Sequence, residues 1–266
     1  ERRQSEVTRR AAILGGGAAI AALPALGSEN DPLLFLGPTG LIDIGHKTIA
    51  DRARDLTAGA TSPRERALAI FRFVSREIPF GFGRGFWDQK ASDVIRIGRG
   101  YCNTKSTLFV ALLRAEGIPA RQVFVEIHAT VLKGIINPGT EFVDHSYVEV
   151  HLDGAWVATD AYIADPALFA AAQARLAAKD EVLGLGIHVA GTCEWDGVGP
   201  AFSQYNLLDP RPIGRRHWGV FADTHDFYAR AEATNNRLNP PMRAAFGLLA
   251  AEANRNAEAL RLGLPR

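Results

Sequence analysis

The first half of the chain carries apolar residues at the three- and four-residue spacing that is typical of amphipathic helices. The predicted helices span residues 46–58, 63–77, 91–97 and 103–115. The second of them begins with a Ser-Pro cap, and its apolar face is formed by Ala67, Ile70, Phe71, Val74 and Ile78. The fourth has almost no polar face, so we predict that it is central in the fold. It is expected to end at Gly117, since Pro119 follows.

The middle of the chain alternates apolar and polar residues, which is typical of strands. Alternation predicts strands over 120–129, 143–152 and 155–162, and a loop over 130–142. Between the last two strands lies Asp153-Gly154, the dipeptide that favours a two-residue hairpin turn. We therefore expect these two strands to pair antiparallel around that turn.

Beyond Pro166 the composition changes. An Ala-rich helix is predicted over 167–179, and further helices over 222–234 and 241–262. A solvated loop is the favoured interpretation of the basic segment 211–218. The whole pattern predicts an α+β fold in which a helix packs on an antiparallel sheet. We predict a core domain at 29–165 and a largely helical extension at 166–266, packed on the core and forming one wall of its cleft.

Composition and the N-terminal segment bear on location and partners. The net charge is +1 and basic residues are scattered, which argues against a nucleic-acid partner. Residues 8–14, TRRAAIL, resemble a twin-arginine export signal. The apolar run at 11–23 is short for a membrane span. We predict a signal at 1–28, export to the periplasm or exterior, and no stable membrane association after cleavage; a buried or amphipathic helix is the alternative.

Cys102 is the first candidate for chemistry. It directly precedes the apolar helix 103–115, where unpaired backbone N–H groups and the helix dipole favour a thiolate. The prediction is a lowered thiol pKa and a nucleophile. The same N–H groups could hold an oxyanion. The alternatives are a small core residue or, in an exported protein, a disulfide with Cys193.

The predicted hairpin supplies a base and an acid. If Asp153 and Gly154 form the loop, Tyr147 pairs with Asp160, and His145 is the diagonal neighbour of Asp160 on the same face. An imidazole and a carboxylate can bridge that gap with a hydrogen bond. We predict that His145 takes the proton of the thiol and that Asp160 fixes the imidazole tautomer. The alternatives are a surface histidine and an aspartate that closes the hairpin.

Three ordered segments resemble the transglutaminase-like superfamily. They are GRGYCNTKSTLFVALLRAEGIPAR at 98–121, HSYVEVHLDGAWVATD at 145–160 and PRERALAIFRFVSREIPF at 63–80. The resemblance covers roughly residues 45–165. It implies a papain-like core with a Cys-His-Asp triad, carried onto Cys102, His145 and Asp160.

The resemblance also implies the reaction and the rest of the site. It implies acyl transfer at an amide by a thiol: peptide cleavage, deamidation or transamidation, with no metal or other cofactor. The substrate would contain a peptide or an amide. The superfamily's second oxyanion donor is an upstream side chain, for which Trp87 and Gln89 are candidates. Further candidates for substrate binding are Tyr101, Tyr147, Arg215 and Trp218.

Other functions and sites stay open on the sequence. One is a small-molecule biosynthetic enzyme that reuses the triad for another reaction, and another is a non-catalytic module that binds peptide or cell wall. Asp223, His225 and Asp226 could suggest a metal site, although a solvated helix start is the favoured interpretation. Substrate identity, the choice between hydrolysis and transamidation, and the oligomeric state are not predicted.

Overall fold

Four helices precede the sheet, close to their predicted positions. In the computed structural model, which describes residues 31–204, 213–231 and 240–264, they are α1 Lys47–Thr57, α2 Pro63–Arg76, α3 Ala91–Ile97 and α4 Cys102–Ala115. Ser62 caps α2 by accepting a hydrogen bond from the Glu65 N–H, and the Glu65 carboxylate bonds back to the Ser62 N–H. The predicted apolar face of α2 is buried. The predicted export signal at 1–28 lies outside the described residues.

The helix α4 is the central helix, as predicted. Every residue from Cys102 to Arg114 is buried, including a polar run in its first two turns. The helix ends in the predicted way: Gly117 has a φ of 70°, and the Ile118 N–H donates to the Leu113 carbonyl. It contacts both central strands of the sheet, so its first residue, Cys102, is fixed relative to them.

The sheet consists of four strands in the order β3-β2-β1-β6, and each neighbouring pair is antiparallel. The first three strands are β1 Ala120–His128, β2 Phe142–Leu152 and β3 Ala155–Thr159. Each was predicted from alternation, to within one residue except at the end of β3. A short 3₁₀ helix at Ala129–Leu132 opens the connection from β1 to β2.

The hairpin turn is the predicted one. Asp153 and Gly154 both have positive φ, 50° and 84°, and Leu152 pairs with Ala155 across them. The predicted register holds as far as Val148 and Thr159. Beyond that point the predicted strand 155–162 is too long.

At Asp160 the chain leaves the sheet. Its N–H donates to Ala201, and its carbonyl accepts from Ile163, so 160–163 forms a turn. The backbone pair Tyr147–Asp160, which the sequence predicted, is therefore absent from the register.

The part of the chain after Pro166 contributes helices and one strand of the main sheet. It contains α5 Pro166–Ala178, the short pair β4 Leu183–Gly184 and β5 Ile187–His188, β6 Ile213–Phe221, α6 Thr224–Arg230 and α7 Pro240–Arg261. The predicted loop at 211–218 is wrong for the described residues from 213 on. They belong to β6, which pairs with β1 through two register irregularities. Those irregularities break the alternation that would have indicated a strand.

Residues Pro32–Arg266 cluster as one compact unit. Because β6 completes the sheet, the predicted division at residue 165 is not visible as a break in the packing. The division into a core at 29–165 and an extension at 166–266 stays a prediction. Among the described residues, no helix combines the length and the apolar character that a bilayer span requires.

Candidate active site

His145 and Asp160 form the central polar contact of the site. His145 lies on β2 and Asp160 in the turn after β3, and both side chains are fully buried. The imidazole Nε2 and the carboxylate Oδ2 are 3.0 Å apart. The contact predicted from the hairpin is therefore present, although the strand pairing expected beneath it is not.

The second carboxylate oxygen of Asp160 is held by a segment distant in sequence. Oδ1 accepts hydrogen bonds from the Ser203 N–H, from Ser203 Oγ at 3.1 Å and from the Gln204 N–H at 3.4 Å. These donors fix the orientation of the carboxylate. The sequence contains no local signal for this support, because residues 203 and 204 are far from any motif.

Cys102 is the first residue of α4 and opens on the same cavity as His145. Both cysteines are free thiols, so the alternative of a Cys102–Cys193 disulfide is absent from the structure. The cavity measures about 250 Å³, and Cys102, Asp144, His145 and Gln204 are among its polar lining residues.

The predicted lowering of the thiol pKa is wrong. The pKa of Cys102 is raised to about 12, mainly by burial and also by the nearby Asp144 carboxylate; backbone hydrogen bonds from Ser146 and Asn103 oppose this rise only in part. The helix start does act on the thiol, through the Asn103 N–H, but desolvation is the larger effect. At neutral pH Cys102 is therefore a protonated thiol.

Asp144 is a site residue that the sequence interpretation missed. It is buried beside His145 and accepts hydrogen bonds from the Tyr228 hydroxyl at 2.5 Å and from Asn103 Nδ2 at 3.5 Å. Burial raises the pKa of this carboxyl, while those hydrogen bonds lower it. Its position directly before His145 was visible, but alternation placed it on the opposite face of the strand.

Of the predicted substrate-binding and oxyanion candidates whose side chains are described, only Tyr101 lies at the cavity that contains Cys102. Tyr101 lines the cavity, with its ring stacked on Phe86 at 5.2 Å. Neither oxyanion candidate is among the described lining residues: the Gln89 amide donates to the Phe86 carbonyl, and the Trp87 ring packs on Tyr228.

The remaining candidates for substrate binding lie elsewhere. The Tyr147 hydroxyl is 3.5 Å from His217 Nε2, and the Trp218 ring meets Phe227 edge to face. The backbone of Arg215 lies in β6, and its side chain is outside the described residues. None of these described side chains lines the cavity at Cys102.

The residues around Asp223 form a helix start, as favoured from the sequence. Asp223 caps α6, and its carboxylate also accepts the Leu41 N–H. The exposed His225 pairs with Asp88 at 2.8 Å. Within residues 31–204, 213–231 and 240–264, no group of three or more His, Cys, Asp or Glu side chains is arranged to hold a metal ion.

One prediction follows from the raised thiol pKa. The rate at which iodoacetamide alkylates Cys102 is expected to keep rising beyond pH 10, whereas the rate for an unperturbed thiol has its midpoint at about pH 8.5 and levels off by about pH 10. Asp144→Asn removes a nearby negative charge and should move the profile to lower pH. The measurement is the pH dependence of alkylation in a Cys193→Ser background. Asp55→Asn, at an exposed position of α1, is the matched control and should change nothing.

Comparisons with known proteins agree with this fold. Residues 50–161, less than half of the chain, match the model of the transglutaminase-like superfamily. The resemblance inferred from the three sequence segments is thus confirmed, and this part of the chain is transglutaminase-like. It contains Cys102, His145 and Asp160.

Two solved structures are also similar to the chain. One is the “putative cysteine protease” from Cytophaga hutchinsonii, with 21% identity and a TM-score of 0.40 over 51% of this chain and 43% of that one. The other is the “putative protease” from Parabacteroides distasonis, with 16% identity and a TM-score of 0.32 over 44% of this chain and 25% of that one. The chain therefore spans less than half the length of either protein. No curated protein matches it significantly.

Proposed function

We propose that the chain is a cysteine-dependent acyl-transfer enzyme that acts on an amide or peptide bond. The observation that carries the proposal is the shared cavity of Cys102 and His145, with His145 Nε2 bonded to the buried Asp160 carboxylate. A transglutaminase-like match over the same residues supports it. Peptidase, deamidase and transamidase activities all use this chemistry.

Activation of the thiol runs through His145. Because Nε2 is engaged by Asp160, proton exchange with the thiol uses the other ring nitrogen, Nδ1. In the neutral pair, Nε2–H donates to the carboxylate and Nδ1 acts as the base. Since Cys102 is protonated at neutral pH, its proton moves to Nδ1 as Sγ attacks the carbonyl carbon. The Asp160 carboxylate then stabilises the imidazolium.

The reaction continues through a thioester. The attack forms the S–C bond and places a negative charge on the carbonyl oxygen, which backbone N–H groups at the start of α4 can stabilise. The C–N bond then breaks, and the leaving amine takes the proton from His145. Water or a second amine, deprotonated by His145, attacks the thioester and releases the thiol.

Export remains a separate proposal that rests on residues 8–14 alone. It is independent of the proposed chemistry.

Formation of the thioester is the direct test. Incubation with a library of peptide amides is expected to give an acyl adduct on Cys102, detected by intact mass after acid quench and located by peptide mapping. The adduct should be absent in Cys102→Ala and greatly slowed in His145→Ala. A Cys193→Ser variant is the control and should form the adduct at the unaltered rate.

Two other outcomes would contradict the proposal. Adducts that form only with small thioesters would favour a small-molecule enzyme. Full biological activity of Cys102→Ala would favour a binding module.

A further inference from the structure

The lining of the cavity at Cys102 is mostly apolar. Apart from the Tyr101 hydroxyl, the polar side chains of the described lining are those of Cys102, Asp144, His145 and Gln204, and that of Asn137, whose Oδ1 accepts the Gly139 N–H. The apolar residues that carry the argument are Phe82, Phe86, Tyr101, Ile127, Val131 and Leu249.

Part of the apolar lining is a set of packed aromatic rings. Tyr101, the residue before the thiol, lies parallel to Phe86 at 5.2 Å and contacts Phe82 at 5.0 Å. The lining also includes Ile127, near the end of β1, and Val131, in the 3₁₀ helix after it, and both are buried.

The apolar lining includes the immediate neighbour of the nucleophile, because Tyr101 directly precedes Cys102 and both line the cavity. In a thioester mechanism the leaving amine must depart and be replaced by water or another amine, whereas the acyl group stays on Sγ through both steps. A cavity that contains the thiol is therefore suited to hold a substituent of the acyl group.

We propose that this cavity is the acyl-group subsite and takes an aromatic or branched aliphatic substituent next to the carbonyl that Cys102 attacks. The inference rests on the proposed function and adds the substrate class. At about 250 Å³ the space lies below the roughly 300–1,000 Å³ of pockets that enclose a drug-sized ligand, so it suits one side chain. An acidic substituent would lose its hydration and face the Asp144 carboxylate.

Selective alkylation tests the subsite. N-acetyl-aminoacyl chloromethyl ketones of Phe, Leu, Gly and Asp share one reactive group and differ in the substituent. In a Cys193→Ser background, the Phe and Leu reagents are expected to alkylate Cys102 about 10- to 100-fold faster than the Gly and Asp reagents. The measurement is the second-order rate constant from intact mass. Equal rates for the four reagents would overturn the subsite.

A pair of adjacent leucines gives a matched control. Leu249 lines the cavity and is 41% exposed, whereas Leu248, on the same helix, is 78% exposed and is not a described lining residue. Leu249→Asp should slow the Phe reagent about 10-fold more than it slows iodoacetamide, which has no substituent to place in the subsite. Leu248→Asp should alter neither rate. An equal effect of both substitutions would mean that the cavity does not hold the substituent.

The same data separate the two proposals. If all four reagents react equally and His145→Ala slows them, the acyl-transfer function stands and the subsite is wrong. If His145→Ala leaves every rate unchanged, the proposed function itself is wrong.

Discussion

Asp160→Asn is expected to slow acylation of Cys102 by about 10³- to 10⁴-fold, with the fold retained. The reason lies in the donors that surround the carboxylate. The Ser203 N–H, Ser203 Oγ and the Gln204 N–H all point at Oδ1. In the variant the amide oxygen has to remain on these donors, so the amide NH₂ group has to face His145.

An NH₂ group beside the imidazole reverses its tautomer. Nε2 would become the acceptor and Nδ1 would carry the proton, so Nδ1 could no longer take one from the thiol. The positive charge that develops on His145 would also lose its carboxylate partner. The expected loss is therefore in the rate of acylation rather than in substrate binding.

Single-turnover acylation with a substrate found in the peptide-amide library is the measurement. Asp153→Asn is the matched control: it makes the same change in the same hairpin, but at an exposed turn position whose partner is Arg64. It should retain the unaltered rate. Urea unfolding of both variants shows whether the fold is intact. A loss below about 10-fold in a folded Asp160→Asn protein would mean that Asp160 does not orient the base.

The sequence predicted this pair because its placement depends on a local turn. Asp153 and Gly154 fix the register of β2 and β3 as far as Val148 and Thr159, and Asp160 is the next residue of the chain, so the turn brings it close to His145. The point at which the chain leaves the sheet, Asp160, could not be predicted from a local turn. It depends on Ala201, a partner 41 residues away whose position only the folded chain defines.

The electrostatics of Cys102 were less predictable than its position. The start of α4 was evident from the apolar run and predicted a stabilised thiolate. The structure shows that burial and Asp144 outweigh the helix start, so the pKa rises. Desolvation depends on everything that surrounds a group, and the cavity at Cys102 is lined in part by Gln204 and Leu249, from beyond residue 165. The hydrophobic periodicity of a sequence does not indicate how strongly a particular side chain is desolvated.

Lys105 is also buried, and its burial is expected to make the free energy of unfolding depend on pH. It lies three residues after Cys102, is fully buried, and its Nζ donates to the Ile163 carbonyl at 3.0 Å. Burial lowers its pKa from 10.5 to about 7, while Asp165 opposes the shift and Arg261 adds to it. Since the Ile163 N–H bonds to the Asp160 carbonyl, Lys105 also links α4 to the turn that carries Asp160.

The sign of the effect follows from the lowered pKa. Above pH 10.5 the lysine is neutral in both states, and its burial carries no charge penalty. As the pH falls towards 7 the unfolded chain binds the proton first, so the free energy of unfolding decreases. Below pH 7 both states are protonated, and the penalty levels off at on the order of 5 kcal/mol.

Lys105→Met is expected to remove this pH dependence. The substitution also leaves the Ile163 carbonyl without its donor, at a pH-independent cost of about 1–3 kcal/mol. Relative to the variant, the unaltered protein should therefore gain about 3 kcal/mol of unfolding free energy between pH 6 and pH 9.5. Urea unfolding of both proteins across that range measures the difference. Lys90→Met, at an exposed position, is the control: the difference in unfolding free energy between it and the unaltered protein should not change with pH. If the difference for Lys105→Met is equally independent of pH, the buried lysine is not neutralised on folding.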